Sequence, residues 1–152
     1  MNSARTPRAS SPKDDGKCHG YDLEERLLKF ASAIIDASEA LPKTRAGNHI
    51  AGQLLRAGTS PYGNHGEAQA PESMDDFIHK MKVCLKELRE TRRWARLIAH
   101  KQWLATDQQL AFVVQEVEEL IRIFKASVQT AERNRLARVR RPEAQRSKTV
   151  GG

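Results

Sequence analysis

The sequence predicts an all-α protein, an antiparallel up-down-up-down four-helix bundle, and three observations carry that prediction. Apolar residues recur at three- and four-residue steps in four separate stretches. Breaks that are short, or rich in helix-start residues, divide those stretches, and short connections between helices make antiparallel neighbours. No alternating apolar and polar run competes as a strand.

The first predicted helix spans about residues 21–40, with Leu23, Leu27, Phe30, Ile34, Ala37 and Leu41 on one stripe. Asp22, Glu24 and Glu25 suit its positive N-terminal end, and Pro42 stops it.

The second helix is predicted from Thr44 to about Ala70, although "AGTSPYGNHGEA" within it holds three glycines and a proline. Ile50, Leu54, Ala57, Pro61 and Ala68 stay in phase across the proline, so the pattern predicts one helix kinked at Pro61. Gly58 and Gly63 are then expected to be close-contact positions. Ser60, Asn64 and Glu67 share one line beside the apolar stripe, expected to form a polar ridge that satisfies groups freed by the kink. Glu87 and Arg92 of the next helix belong with this structural set, because an arginine near an apolar stripe needs a carboxylate partner.

The third helix is predicted over 72–102, opened by Pro71, Ser73, Asp75 and Asp76. Phe77, Ile78, Met81, Cys84, Leu85, Leu88, Ala95 and Ala99 form its apolar side. Lys82, Lys86, Arg89, Arg93 and Arg96, continued by His100, line one flank. Trp94, Leu97 and Leu104 fall off the stripe, a surplus that predicts a subunit interface at Trp94 and Leu97. Thr106 or Asp107 caps a fourth helix whose inner side is Leu110, Val113, Val114, Val117, Leu120, Ile121, Phe124 and Val128. Beyond Ala131 the run "ERNRLARVRR" is able to extend it toward Pro142.

A chain of 152 residues with 39% hydrophobic content suits one modest core. The predicted organisation is a disordered N-terminal tail over 1–20, a bundle over 21–130 and a basic C-terminal tail over 131–152. The net charge of +7 resides in the tails: the segment after residue 130 holds seven Lys/Arg against Glu132 and Glu143, whereas 21–130 holds 15 of each sign. Two cysteines, Cys18 and Cys84, make no disulfide framework, and no apolar run approaches the length needed to span a bilayer. A cytoplasmic protein without a membrane role is expected.

Catalytic patterns are weak. His65-x-Glu67 has no Pro-Cys-x-x-Cys to complete a zinc site, and no His-x-x-x-His pair exists. Ser60 and Cys84 are explained by packing and backbone hydrogen bonding, and Gly58, Gly63 and Gly66 lack the strand that precedes a phosphate-binding loop. No enzyme activity, metal or cofactor is expected.

"GNHIAGQLLRAGTSPYGNHGEA" followed by "DFIHKMKVCLKELRETRRWARLI" resembles the bacterial four-helix bundle proteins grouped with the 23S rRNA intervening-sequence proteins. The resemblance covers about residues 28–124, and its most specific part is Gln53, Leu54, Arg56, Ala57, Ser60, Asn64 and Glu67. Glu67-Ala68 stands where the family often has Glu-Gly. The resemblance implies a left-handed bundle assembled as a ring-like homo-oligomer, a pentamer, with no established enzymatic activity. Founding members are encoded within inserts of large-subunit rRNA genes, and a more distant relative resembles nucleic-acid-binding accessory proteins of diversity-generating retroelements. Two functions follow as expectations: a module binding RNA or DNA non-specifically through Lys82, Lys86, Arg89, Arg93 and Arg96 together with the arginines of the C-terminal tail, or a protein-protein interaction scaffold with no nucleic-acid role.

Overall fold

The computed structural model describes the backbone of residues 19–146 and the side chains of 22–141. Four helices follow one another: α1 (His19–Ala40), α2 (Arg45–Ala68), α3 (Met74–His100) and α4 (Gln108–Arg146). Each packs on the next, and α1 closes the bundle against α4. Cross-helix pairs give the sense of two seams. Arg56 meets Glu87 while Pro61 meets Cys84, and Lys82 meets Glu132 while Arg92 meets Glu118, so α2/α3 and α3/α4 run antiparallel.

The ends follow local chemistry. Thr44 Oγ1 accepts from the Gly47 amide at 3.1 Å, Ser73 Oγ from the Asp76 amide at 3.0 Å, and Asp107 Oδ1 from the Leu110 amide at 2.9 Å, each satisfying a donor that a helix start leaves free. Of the two caps expected for α4, Asp107 is the one used. Helix α3 ends differently, with Gln102 and Leu104 both at φ 57°, left-handed positions occupied without glycine.

The predicted stripes form the core. Leu27, Phe30, Ile34, Leu54, Leu88, Ile98, Val113, Leu120 and Phe124 are fully buried. Two positions depart: Val114, expected inside, is exposed, and so is Ala99. Each lies about 100° around its helix from a buried neighbour, Val113 and Ile98 respectively, which takes the inward position.

Helix α2 runs through Pro61, which is itself buried. The polar ridge does not act as expected. Asn64 Nδ2 donates to the Ser60 carbonyl at 3.1 Å and to Ser60 Oγ at 2.9 Å, whereas the carbonyl deprived of a donor by Pro61 is that of Ala57. Glu67 is exposed. The glycines divide too: Gly58 lies against Ile34 of α1, while Gly63 has open space where a side chain would be.

The boundary drawn at residue 130 is corrected, because α4 continues without interruption to Arg146. Residues 131–141 contain no glycine or proline, Ala, Leu and Arg favour helix, and Arg135 is anchored to Asp75 of α3 at 2.8 Å. Residues 1–18, most of the expected N-terminal tail, lie outside the described residues, as do 147–152.

Candidate nucleic-acid interface

Helix α3 places Lys82, Lys86, Arg89, Arg93 and Arg96 in the order i, i+4, i+7, i+11, i+14, with His100 at i+18, and all six are exposed. At about 100° per residue they stay within a band of roughly 80°, and at ~1.5 Å per residue the row is about 27 Å long. The row is straight because its spacing follows the helical repeat, and apolar Met81, Cys84, Leu85, Leu88 and Ala95 turn the adjoining side toward the core.

Ion pairs consume part of this charge. Lys82 reaches Glu132 of α4 at 2.5 Å, a bond that holds the Glu132 carboxyl below the usual carboxylate range. Among the described residues Lys86, Arg89, Arg93 and Arg96 enter no ion pair. Four cations therefore remain to attract an anionic partner.

The structural set is wired differently from the sequence expectation. Arg92 donates to Glu118 of α4 at 3.4 Å rather than pairing with Glu67. Buried Glu87 accepts from Arg56 of α2 at 3.2 Å, and Arg56 also binds Glu90, which accepts from Trp94 Nε1 at 3.3 Å. Arg56 was legible as part of the Gln-Leu-x-Arg run, but its partner on another helix was not.

This network corrects the surplus at the end of α3. Trp94 and Leu104 are partly buried against the protomer's own core, leaving Leu97 exposed. Other exposed apolar side chains lie elsewhere, Leu136 and Val139 near the end of α4 among them. Leu28 and Ile35 on α1 stand about 160–180° around that helix from Arg26, which bonds Glu116 of α4 at 2.7 Å, so they border the α2 side. Leu55 and Tyr62 lie about 40–60° from Gly58, which touches α1, so they border the same seam. Phe112 and Val114 are exposed on α4.

Of the cations on α4, sequence reasoning counted the arginines after residue 131 and missed Arg122 and Lys125. Arg122, Lys125 and Arg133 are exposed, and the ion pairs to Glu118 and Glu132 bring this stretch alongside α3. A cleft of ≈ 620 Å³ opens between the start of α3 and α4, lined by Met74, Phe77, Ala131, Asn134 and Arg138 among others. Among the described residues no three His, Cys, Asp or Glu side chains converge as a metal site, and no helix is long and apolar enough to cross a membrane.

Fold and surface together define a class: an all-α four-helix bundle with a cationic row along one outer helix. Within that class, the chain belongs to the 23S rRNA-intervening sequence protein family, whose model matches residues 22–126. A solved structure of similar fold, a protein of unknown function from the S23 ribosomal protein family of Bacteroides thetaiotaomicron, is 26% identical with a TM-score of 0.65, over 72% of this chain and 97% of its own. No curated protein matches the chain.

Proposed function

We propose that this protein is a non-enzymatic, cytoplasmic RNA-binding bundle that contacts the phosphate backbone through Lys86, Arg89, Arg93 and Arg96, with Lys82 at the end of the row. The observation that carries the reading is the straight exposed row itself, whose four members beyond Lys82 enter no ion pair among the described residues. The family name adds support for RNA over DNA as the partner. Point charges on a rigid helix hold a phosphate backbone without reading bases, so binding is non-specific in sequence and weakens steeply with salt. The test is RNA affinity at several salt concentrations for the wild type and for the charge reversal Lys86→Glu/Arg89→Glu/Arg93→Glu. Loss of affinity with a shallower salt slope is expected; equal affinities would remove α3 from the site.

A specific observation favours a second reading, self-assembly or a protein scaffold: Leu28, Ile35, Leu55 and Tyr62 leave an apolar strip along the α1–α2 seam. The family resemblance supports a homo-oligomeric ring, a pentamer, as that assembly, and the seam is a better interface than the partly buried Trp94. Light scattering at micromolar concentration is expected to give a mass several times 17.1 kDa, reduced by Leu55→Glu/Tyr62→Glu. A wild-type monomer would discard the assembly.

A further inference from the structure

We infer that the nucleic acid this face takes is an RNA duplex, held across its minor groove by two rows of cations, one on α3 and one on α4. The inference rests on the RNA-binding reading above and narrows it to a ligand shape.

The second row consists of Arg122, Lys125, Arg133 and Arg140, all exposed. Their spacing keeps them within about 80° of one another around α4. They lie roughly opposite buried Val117, Phe124, Val128 and Ala131, hence on the outer side of the helix. The α3 row borders α4, because Lys82 bonds Glu132 and Arg92 beside that row bonds Glu118; of the α4 set Lys125 lies nearest that seam, between the angles of Glu118 and Glu132. Packed helices lie about 8–10 Å apart, and the two sets are staggered: Arg122 and Lys125 are level with Arg89 and Lys86, while Arg133 and Arg140 carry the cationic band on past the start of the α3 row. The carboxylates on this face are engaged locally, Glu132 by Lys82, Glu118 by Arg92 and Glu119 by Arg122. Exposed Gln129 adds a neutral hydrogen-bonding group on the α4 flank.

Two features select a duplex. Single-strand binding draws on aromatic side chains on which bases stack, and among the described residues the exposed aromatics are elsewhere: Tyr62 borders the α1–α2 seam, and Phe112 lies on the part of α4 turned toward α1. Trp94 faces the α2 side through its bond to Glu90. A duplex also presents two phosphate strands at fixed separation, which two rigid rows engage together, whereas a single strand follows one row.

The shape of the face selects RNA. Over the described residues it is the broad side of two adjacent helices, with Lys86 and Arg89 of α3 level with Lys125 and Arg122 of α4. An A-form duplex offers a wide, shallow minor groove bordered by phosphates and carrying 2′-hydroxyls, which a broad cationic face is able to span.

The experiment measures fluorescence anisotropy of the full chain with a 24-base-pair RNA duplex, one unstructured strand of the same length, and the same-sequence DNA duplex, each across a salt series. The RNA duplex is expected to bind about tenfold tighter than either alternative. With five to six phosphates neutralised, its log K falls against log salt with a slope near −5. Lys125→Glu/Arg133→Glu is expected to lower duplex affinity at least tenfold and leave weak single-strand binding unchanged, while Lys86→Glu/Arg89→Glu lowers both. Circular dichroism checks that these exposed substitutions leave the helices intact. Equal affinity for the single strand, or no effect of the α4 pair, would overturn the duplex inference and leave RNA binding standing. Equal affinity for the DNA duplex would overturn the choice of RNA. Failure to bind any of the three at low salt would overturn the underlying reading.

Discussion

Gly58 of α2 lies directly against Ile34 of α1, so that a Cβ built on the glycine comes within 2.6 Å of two Ile34 carbons and 2.7 Å of a third. Ile34 is fully buried and has no room to withdraw. Gly58→Ala is therefore expected to lose about 1–2 kcal/mol, the overpacking cost outweighing the ~1 kcal/mol that alanine gains over glycine in a helix. Gly63→Ala, where the space is open, is expected to gain up to ~1 kcal/mol. Urea denaturation of the pair separates the two cases; destabilisation of similar size in both would contradict the packing account.

The Arg56–Glu87 contact joins α2 to α3 with its carboxylate buried and its guanidinium half-exposed. Arg56→Ala strands the buried charge, with an expected loss of about 1–2 kcal/mol after discounting for solvent around the arginine. Glu87→Gln keeps a hydrogen-bonding partner and is expected to cost less than 1 kcal/mol. A double-mutant cycle measures the coupling, and a value near zero would show that the two side chains act independently.

His65 sits in the core edge-on to Phe124, with ring centroids 6.0 Å apart and Nδ1 without a partner among the described residues. Desolvation holds its pKa below the ordinary 6.5, a shift only partly opposed by Glu24. The unfolded chain therefore binds a proton that the folded chain resists, and stability falls as pH drops below about 6.5 until the lower folded-state pKa is passed. His65→Gln is expected to flatten the stability profile between pH 5 and 6.5 relative to the wild type. An unchanged slope would assign the acid sensitivity to other groups.

The Cys84 thiol is buried near the Pro61 carbonyl, 3.7 Å from its oxygen, and burial pushes its pKa up to about 12. With little thiolate and no access, it is expected to resist iodoacetamide in the native protein and react after unfolding in urea. Peptide mass spectrometry reads the site directly; native alkylation at Cys84 would show that α2 and α3 open readily.

The sequence by itself determined the four helices, their core stripes and the cationic row of α3, because each depends on spacing along a single helix. The phase of Lys82, Lys86, Arg89, Arg93 and Arg96 follows from 3.6 residues per turn whatever packs behind them. The family motif was equally legible, being local. Only the tertiary structure decided which helices those residues address: that Arg56 serves Glu87, that Arg92 serves Glu118, that Trp94 settles against its own core, and that α4 sets Arg122 and Lys125 level with Arg89 and Lys86. It also separated Gly58 from Gly63, identical as residues but different in what faces them. Periodicity fixes the angle of a side chain about its own axis. Its neighbour depends on the offset between two helices, which the summed packing of both determines.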